Sequence, residues 1–187
     1  MLLDISHGFN MIEIRSKEDC NDFSYIFDGL KGTHLINPTK GQVRKLLKEH
    51  LERPLIICGH GDSSGVYNHT WTGYILTSKE VDFLRKLSAI IGVWCYASNF
   101  ADSYNLKGFF TSMFISNTDE AMDILQTKYS EQEISEENIW FSKKLNELIL
   151  SGIPMEQWTQ ILQDHSINSE KKFVKYNYEA LGYFDGK

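Results

Sequence analysis

Two short apolar segments that each end in a reactive side chain constrain the fold more than any other feature of this sequence. The first runs from Pro54 to Gly61 and carries His60 between two glycines, and the second runs from Ala89 to Cys95. Segments of this length that are rich in β-branched residues are typical of buried parallel strands. Because open α/β sheets carry their sites at the carboxyl ends of the strands, we expect His60 and Cys95 at one edge of a sheet.

Helix signals alternate with these two strands. Thr39 with Gln42, and Thr77 with Glu80, have the spacing of capping boxes, and apolar residues at helical spacing follow each of them. Further strands are predicted over residues 9–14, 33–38 and 109–116, and further helices from residue 97, from residue 117 or 118, and over 134–150 and 155–162. The aromatic tail, 173–184, is predicted to pack as a strand or an ordered arm. Helices that lead into strands indicate an α/β fold with a mainly parallel sheet.

Length and charge limit the classes of protein to which the chain can belong. With 187 residues, 42% of them hydrophobic, the chain has enough apolar material for one core, so we predict a single domain over 1–187. A net charge of −6 argues against a nucleic-acid partner. No segment approaches the roughly 18 apolar residues of a membrane span, and the amino terminus lacks the order of a signal peptide. We therefore expect no membrane partner and a cytoplasmic location.

The three cysteines do not describe a disulfide framework. Their number is odd and their spacing is irregular, so reduced thiols are expected. Cys20 lies among carboxylates, which disfavour a thiolate, and we assign it no chemical role. Cys58 is predicted to be a buried thiol. Cys95 and His60 remain, and they supply the two partners that a thiol nucleophile and a general acid/base require.

The same residues carry a resemblance to a known family. A strand that ends in His60-Gly61, a later strand that ends in Cys95, and the small-residue segment 97–101 resemble the caspase-like cysteine peptidases of clan CD, which include the bacterial CHAT domains. The resemblance covers about residues 35–121. It implies a three-layer α/β/α sandwich with a mainly parallel sheet. The chain lacks the Gln-Ala-Cys signature of caspases proper, and Val93 stands where members specific for basic residues often carry an acid.

The resemblance also implies a mechanism and a set of site residues. Cys95 is the expected nucleophile, His60 the expected general acid/base, and the Gly61 N–H an expected oxyanion donor, with no cofactor and no metal. The substrate is expected to be a protein or peptide, with a regulatory protein as a further expected partner. The predicted substrate contacts are Asp62, Trp94 and Ser116. The loop Asp62 to Gly73 is expected to border the cleft, and an acid that selects a basic substrate residue is sought at Asp62, Asp119 or Glu120.

Two alternatives remain open. In the first, the chain is a catalytically inactive caspase-like interaction module, in which Trp94 obstructs the cleft and the aromatic residues Tyr67, Trp71 and Tyr74 bind a protein partner. In the second, Cys58, His60, Asp62 and His69 bind a metal ion. Their spacing matches no standard zinc-ligand pattern, which disfavours the metal site.

Overall fold

A six-stranded sheet forms the centre of the protein. The computed structural model describes residues 1–15 and 21–187, so Cys20 lies outside the described residues. The strands, in spatial order, are β2 (Gly32–Ile36), β1 (Phe9–Glu13), β3 (Leu55–Cys58), β7 (Ile90–Val93), β8 (Lys107–Phe110) and β9 (Gly182–Asp185). The first five are parallel, and β9 pairs antiparallel with β8.

Helices cover both faces of this sheet. One face carries α1 (Lys40–Glu49), α2 (Val81–Leu84) and α3 (Ala97–Ser103), and the other carries α4 (Thr118–Leu125), α5 (Glu131–Leu150), α6 (Trp158–Ile167) and α7 (Lys172–Glu179). Short 3₁₀ turns span Asn21–Phe27, Ser78–Glu80 and Met155–Gln157. Each face has its own hydrophobic core because alternate residues of every strand point to opposite sides. The protein is therefore an α/β fold of three layers, as predicted.

A second, smaller sheet follows directly after β3. It consists of β4 (Gly61–Asp62), β5 (Gly65–Tyr67) and β6 (Tyr74–Thr77), which pair antiparallel in that order. The sequence indicated only a loop over 62–73. The strands are too short to show an alternating pattern, and the small polar residues around them are typical of loops.

Several helix starts agree with the sequence. Thr39 caps α1 with the expected capping box, and Asn117 caps α4. Thr77 also forms its capping box, but the chain makes a 3₁₀ turn there before it enters α2. A further capping box at Ser130 starts α5 three residues earlier than the predicted helix start at residue 134.

Two predicted elements are wrong in part. The strand expected over 109–116 begins at Lys107 and ends at Phe110, because the Thr111 carbonyl accepts a hydrogen bond from the Ser98 N–H of α3 (2.8 Å) and not from a strand. The Thr111 hydroxyl accepts a hydrogen bond from the Trp94 N–H (3.1 Å) and donates one to the Trp94 carbonyl (2.8 Å). The tail predicted as a strand or arm is a helix, α7, followed by a strand, β9. Its buried residues Phe173, Val174, Asn177 and Tyr178 recur at helical spacing.

Among the residues that the structure describes, no helix is both long enough and apolar enough to span a membrane.

Candidate active site

His60 and Cys95 lie at the same edge of the main sheet, just beyond two neighbouring strands. β3 and β7 pair with Cys58 opposite Val93, and the Gly59 N–H donates to the Val93 carbonyl at 3.0 Å. His60 and Cys95 each follow that pair by two positions. Because neighbouring strands are about 4.8 Å apart, this register brings His60 and Cys95 to the same part of the sheet edge.

Both residues line one narrow cleft, which we call the Cys95 cleft. Its other lining residues are Glu13, Ile14, Arg15, Phe23, Ser24, Cys58, Gly59, Val93, Trp94, Phe114 and Ser116. The cleft has a volume of about 50 Å³, room for only a few water molecules at about 10–15 Å³ each.

The backbone turns sharply directly after Cys95. Tyr96 has φ +63° and ψ +25°, a left-handed conformation that aromatic residues seldom adopt. The Cys95 Sγ lies 3.8 Å from the Phe114 carbonyl oxygen, to which it donates. Burial raises the pKa of Tyr176 on α7, and the proximity of the titratable Tyr96 and Cys95 side chains adds to this effect. Strained backbone next to a partly exposed thiol is characteristic of functional sites.

The small sheet places an aromatic side chain on His60. The Trp71 ring lies 4.3 Å from the His60 ring, centroid to centroid, at an interplanar angle of 38°. Trp71 is 50% exposed and occupies the turn between β5 and β6. Asn68 fixes this turn, because its Oδ1 accepts the N–H groups of Thr70 (3.2 Å) and Thr72 (3.0 Å). The segment expected to border the cleft thus reaches His60 through Trp71.

Gly61 occupies a position where the backbone leaves no room for a side chain. A Cβ there would lie 2.4 Å from the Gly65 carbonyl oxygen and 2.5 Å from Trp94 Cδ1. The Tyr67 N–H donates to the His60 carbonyl, so Gly61 and Val66 form the next, non-hydrogen-bonded pair of the antiparallel ladder. The Gly61 N–H therefore points away from β5.

The Asp62 carboxylate holds the small sheet together. It accepts hydrogen bonds from the hydroxyls of Tyr67 (2.5 Å) and Tyr74 (2.8 Å) and from the Ser64 N–H (2.7 Å). Burial alone would raise the pKa of Asp62, but these hydrogen bonds outweigh it and lower the pKa. The hydrogen bond to Asp62 in turn raises the pKa of Tyr67. Asp62 does not line the Cys95 cleft, and its oxygens are engaged within the small sheet.

Trp94 connects the two sheets. Its side chain is 3% exposed and packs edge-on against Phe100 and Phe110 in the core beneath α3. The indole Nε1–H donates to the Asp62 carbonyl at 3.2 Å. The indole therefore lies on the core side of the small sheet, where it also packs against Gly61.

Ser116 stands between the Cys95 cleft and a second cleft, and lines both. Its N–H and hydroxyl donate to Glu120 Oε2 at 2.7 and 3.0 Å. Asp119 and Glu120, the candidates for selecting a basic residue, line the second cleft rather than the Cys95 cleft.

An ion-paired glutamate at the end of β1 was missed from the sequence. Glu13 is 4% exposed, lies opposite Cys58 in the sheet and lines the Cys95 cleft. Arg15 donates to both its carboxylate oxygens (2.7 and 3.0 Å), and His34 Nε2 lies 3.0 Å from Oε2. Because β1 is parallel to β3, the carboxyl end of β1 lies at the same edge of the sheet as His60 and Cys95. The position of Glu13 at the end of a predicted strand was therefore the signal in the sequence that could have indicated it.

The structure does not support the metal alternative. Within residues 1–15 and 21–187, no three His, Cys, Asp or Glu side chains are grouped so as to hold a metal ion. Cys58 is buried, and His69 lies exposed in the turn of the small sheet.

No protein-family model matches this chain, and no curated protein sequence matches it either.

Proposed function

We propose that this protein is a caspase-like cysteine endopeptidase with a dyad of Cys95 and His60. The observation that carries the proposal is the β3–β7 register, since it brings a histidine and a cysteine to one cleft at the carboxyl edge of a parallel sheet. The three-layer fold agrees with the architecture that the resemblance implies.

The first half of the reaction forms an acyl-enzyme. The Cys95 thiol gives its proton to His60, and the sulfur attacks the scissile carbonyl carbon. The carbonyl oxygen, on which negative charge develops, accepts a hydrogen bond from the Gly61 N–H. His60 then gives its proton to the leaving amine as the C–N bond breaks, and a thioester remains on Cys95.

The second half releases the product. His60 removes a proton from water, and the oxygen of that water attacks the thioester carbonyl. The C–S bond breaks, the new carboxyl terminus leaves, and the proton on His60 returns to the Cys95 sulfur. No cofactor enters this cycle.

The decisive test is cleavage of a proteome-derived peptide library by wild type, Cys95→Ala and His60→Ala, with cuts identified by mass spectrometry. His69→Ala serves as the matched control because His69 is an exposed histidine of the same small sheet. We expect cuts from wild type and His69→Ala and none from the two dyad variants, all with wild-type melting temperatures. Cleavage retained by folded Cys95→Ala would contradict the assignment.

A catalytically inactive interaction module is the second candidate. It is favoured by the narrowness of the Cys95 cleft, about 50 Å³, and by the exposure of Trp71 beside it. Alkylation by iodoacetamide distinguishes the two. A dyad gives fast alkylation of Cys95 that slows in His60→Ala and not in His69→Ala, whereas a module gives equal, slow alkylation in all three proteins.

A further inference from the structure

A second cleft adjoins the Cys95 cleft and carries a concentration of negative charge. We call it the acidic cleft; it has a volume of about 680 Å³, and its acidic lining residues are Asp119, Glu120, Asp123 and Glu131. Phe23 and Ser116 line both clefts, and Trp71, whose ring packs against His60, lines the acidic cleft as well. A polypeptide that lies across Cys95 therefore has a direct path into it.

Within the described residues, no cation of the protein neutralises these carboxylates. In the part of the chain that the structure describes, none of the four forms an ion pair, and no Lys, Arg or His lines the cleft. Asp119, Asp123 and Glu131 are exposed, whereas Glu120 is half-buried and accepts from Ser116. Helix dipoles favour acids in the first turns of α4 and α5, which accounts for Asp119, Glu120 and Glu131 but not for Asp123.

A buried hydrogen-bond acceptor in the same cleft has no donor among residues 1–15 and 21–187. Asn138 of α5 lines the acidic cleft and is 1% exposed. Its Nδ2 donates to the Ser116 carbonyl at 2.9 Å, which fixes the orientation of the amide. Its Oδ1 has no partner among the described residues. Buried polar atoms are almost always hydrogen-bonded, so this oxygen indicates a place for a further donor.

We propose that the acidic cleft binds a basic, Lys- or Arg-containing segment of the polypeptide that occupies the Cys95 cleft. Ammonium and guanidinium groups bring positive charge and N–H donors, and both match the carboxylates and the Asn138 acceptor. The volume lies within the range of ligand pockets and is ample for long side chains. The carboxylates do not converge on one point, as a metal ion would require, but a segment with several separate charges fits them.

The assignment of this segment to the substrate rests on the proposed peptidase function, so binding and cleavage are tested separately. Binding is measured by fluorescence anisotropy on the full chain carrying Cys95→Ala, with labelled peptides of alternating lysine and serine or of alternating glutamate and serine. We expect the lysine peptide to bind, more weakly as salt is added, and the glutamate peptide not to bind.

Charge-matched variants locate the binding. Asp119→Asn/Asp123→Asn/Glu131→Gln neutralises the cleft, whereas Asp82→Asn/Asp102→Asn/Glu179→Gln removes as much charge from exposed positions outside it. Since each exposed charge contributes a few-fold, we expect about tenfold weaker binding in the first variant and little change in the second. Equal affinities in the two variants, or no binding of the lysine peptide, would overturn the proposal.

The separate measurements keep the two proposals distinguishable. Library cuts by wild type with no basic preference near the cut, together with equal affinities in the two charge variants, would reject the acidic cleft and leave the peptidase standing. Lysine-peptide binding that depends on the cleft charges, with no library cuts, would support the cleft as a binding site and reject the peptidase.

Discussion

Replacement of Gly61 by alanine tests the close packing behind His60. The added Cβ would meet the Gly65 carbonyl oxygen at 2.4 Å and Trp94 Cδ1 at 2.5 Å. Neither atom can yield easily, because one belongs to the backbone of β5 and the other to an indole held by its bond to the Asp62 carbonyl. Overpacking of this kind destabilises a protein by about 1–3 kcal/mol, and the upper end applies here because neither neighbour can move. Alanine also lowers the conformational entropy of the unfolded chain, which stabilises the folded protein by about 0.4–1 kcal/mol.

We therefore expect Gly61→Ala to lower the free energy of unfolding by about 2 kcal/mol. In a protein of this size, that change lowers the melting temperature by about 4–8 °C. Gly73→Ala is the matched control, since Gly73 lies in the turn between β5 and β6 and a Cβ there would meet nothing within 4 Å. Thermal unfolding followed by circular dichroism provides the measurement. Equal melting temperatures for the two variants would refute the packing argument.

Two further predictions concern the supports of the site. The buried Asn177 side chain accepts from the Ile115 N–H (2.7 Å) and donates to the Ile115 carbonyl (2.9 Å). Asn177→Ala removes the partner of both backbone groups, and we expect the free energy of unfolding, measured with denaturant, to fall by about 2–5 kcal/mol. A fall of less than about 0.5 kcal/mol, as is typical of surface substitutions, would contradict this prediction. Burial alone would raise the pKa of Glu80, but hydrogen bonds from Arg44 and Thr77 outweigh it and lower the pKa. The stabilisation by Glu80 is therefore complete above the usual glutamate pKa and is lost as the pH falls through the lowered one. The difference in melting temperature between wild type and Glu80→Gln should become smaller from neutral to acid pH. A difference that does not change with pH would show that the charge of Glu80 does not contribute to stability.

The strands that His60 and Cys95 follow could be predicted because their signal is local. The runs that end near Cys58 and Val93 are apolar and β-branched, and parallel pairing follows from the helices that precede them. The small sheet was missed because its strands span two to four residues and its cohesion comes from the Asp62 carboxylate, a side-chain interaction that hydropathy does not register.

The remainder of the site depends on contacts between residues distant in the sequence. Phe114 and Tyr176 come near Cys95 only because α7 packs beside the segment that follows β8. The acceptor on Asn138 is recognisable only once the fold shows that its Oδ1 is buried and has no donor. No periodic pattern encodes such placements, since they depend on tertiary packing.

The left-handed backbone at Tyr96 has a consequence for how this protein evolves. The left-handed conformation destabilises a residue with a Cβ by about 1–2 kcal/mol. The substitution Tyr96→Gly is therefore among the simplest changes that would make the protein more heat-resistant. The same change loosens the turn that presents the Cys95 thiol. Laboratory selection for thermal tolerance alone should therefore enrich glycine at position 96, while selection for the proposed peptidase activity should retain tyrosine.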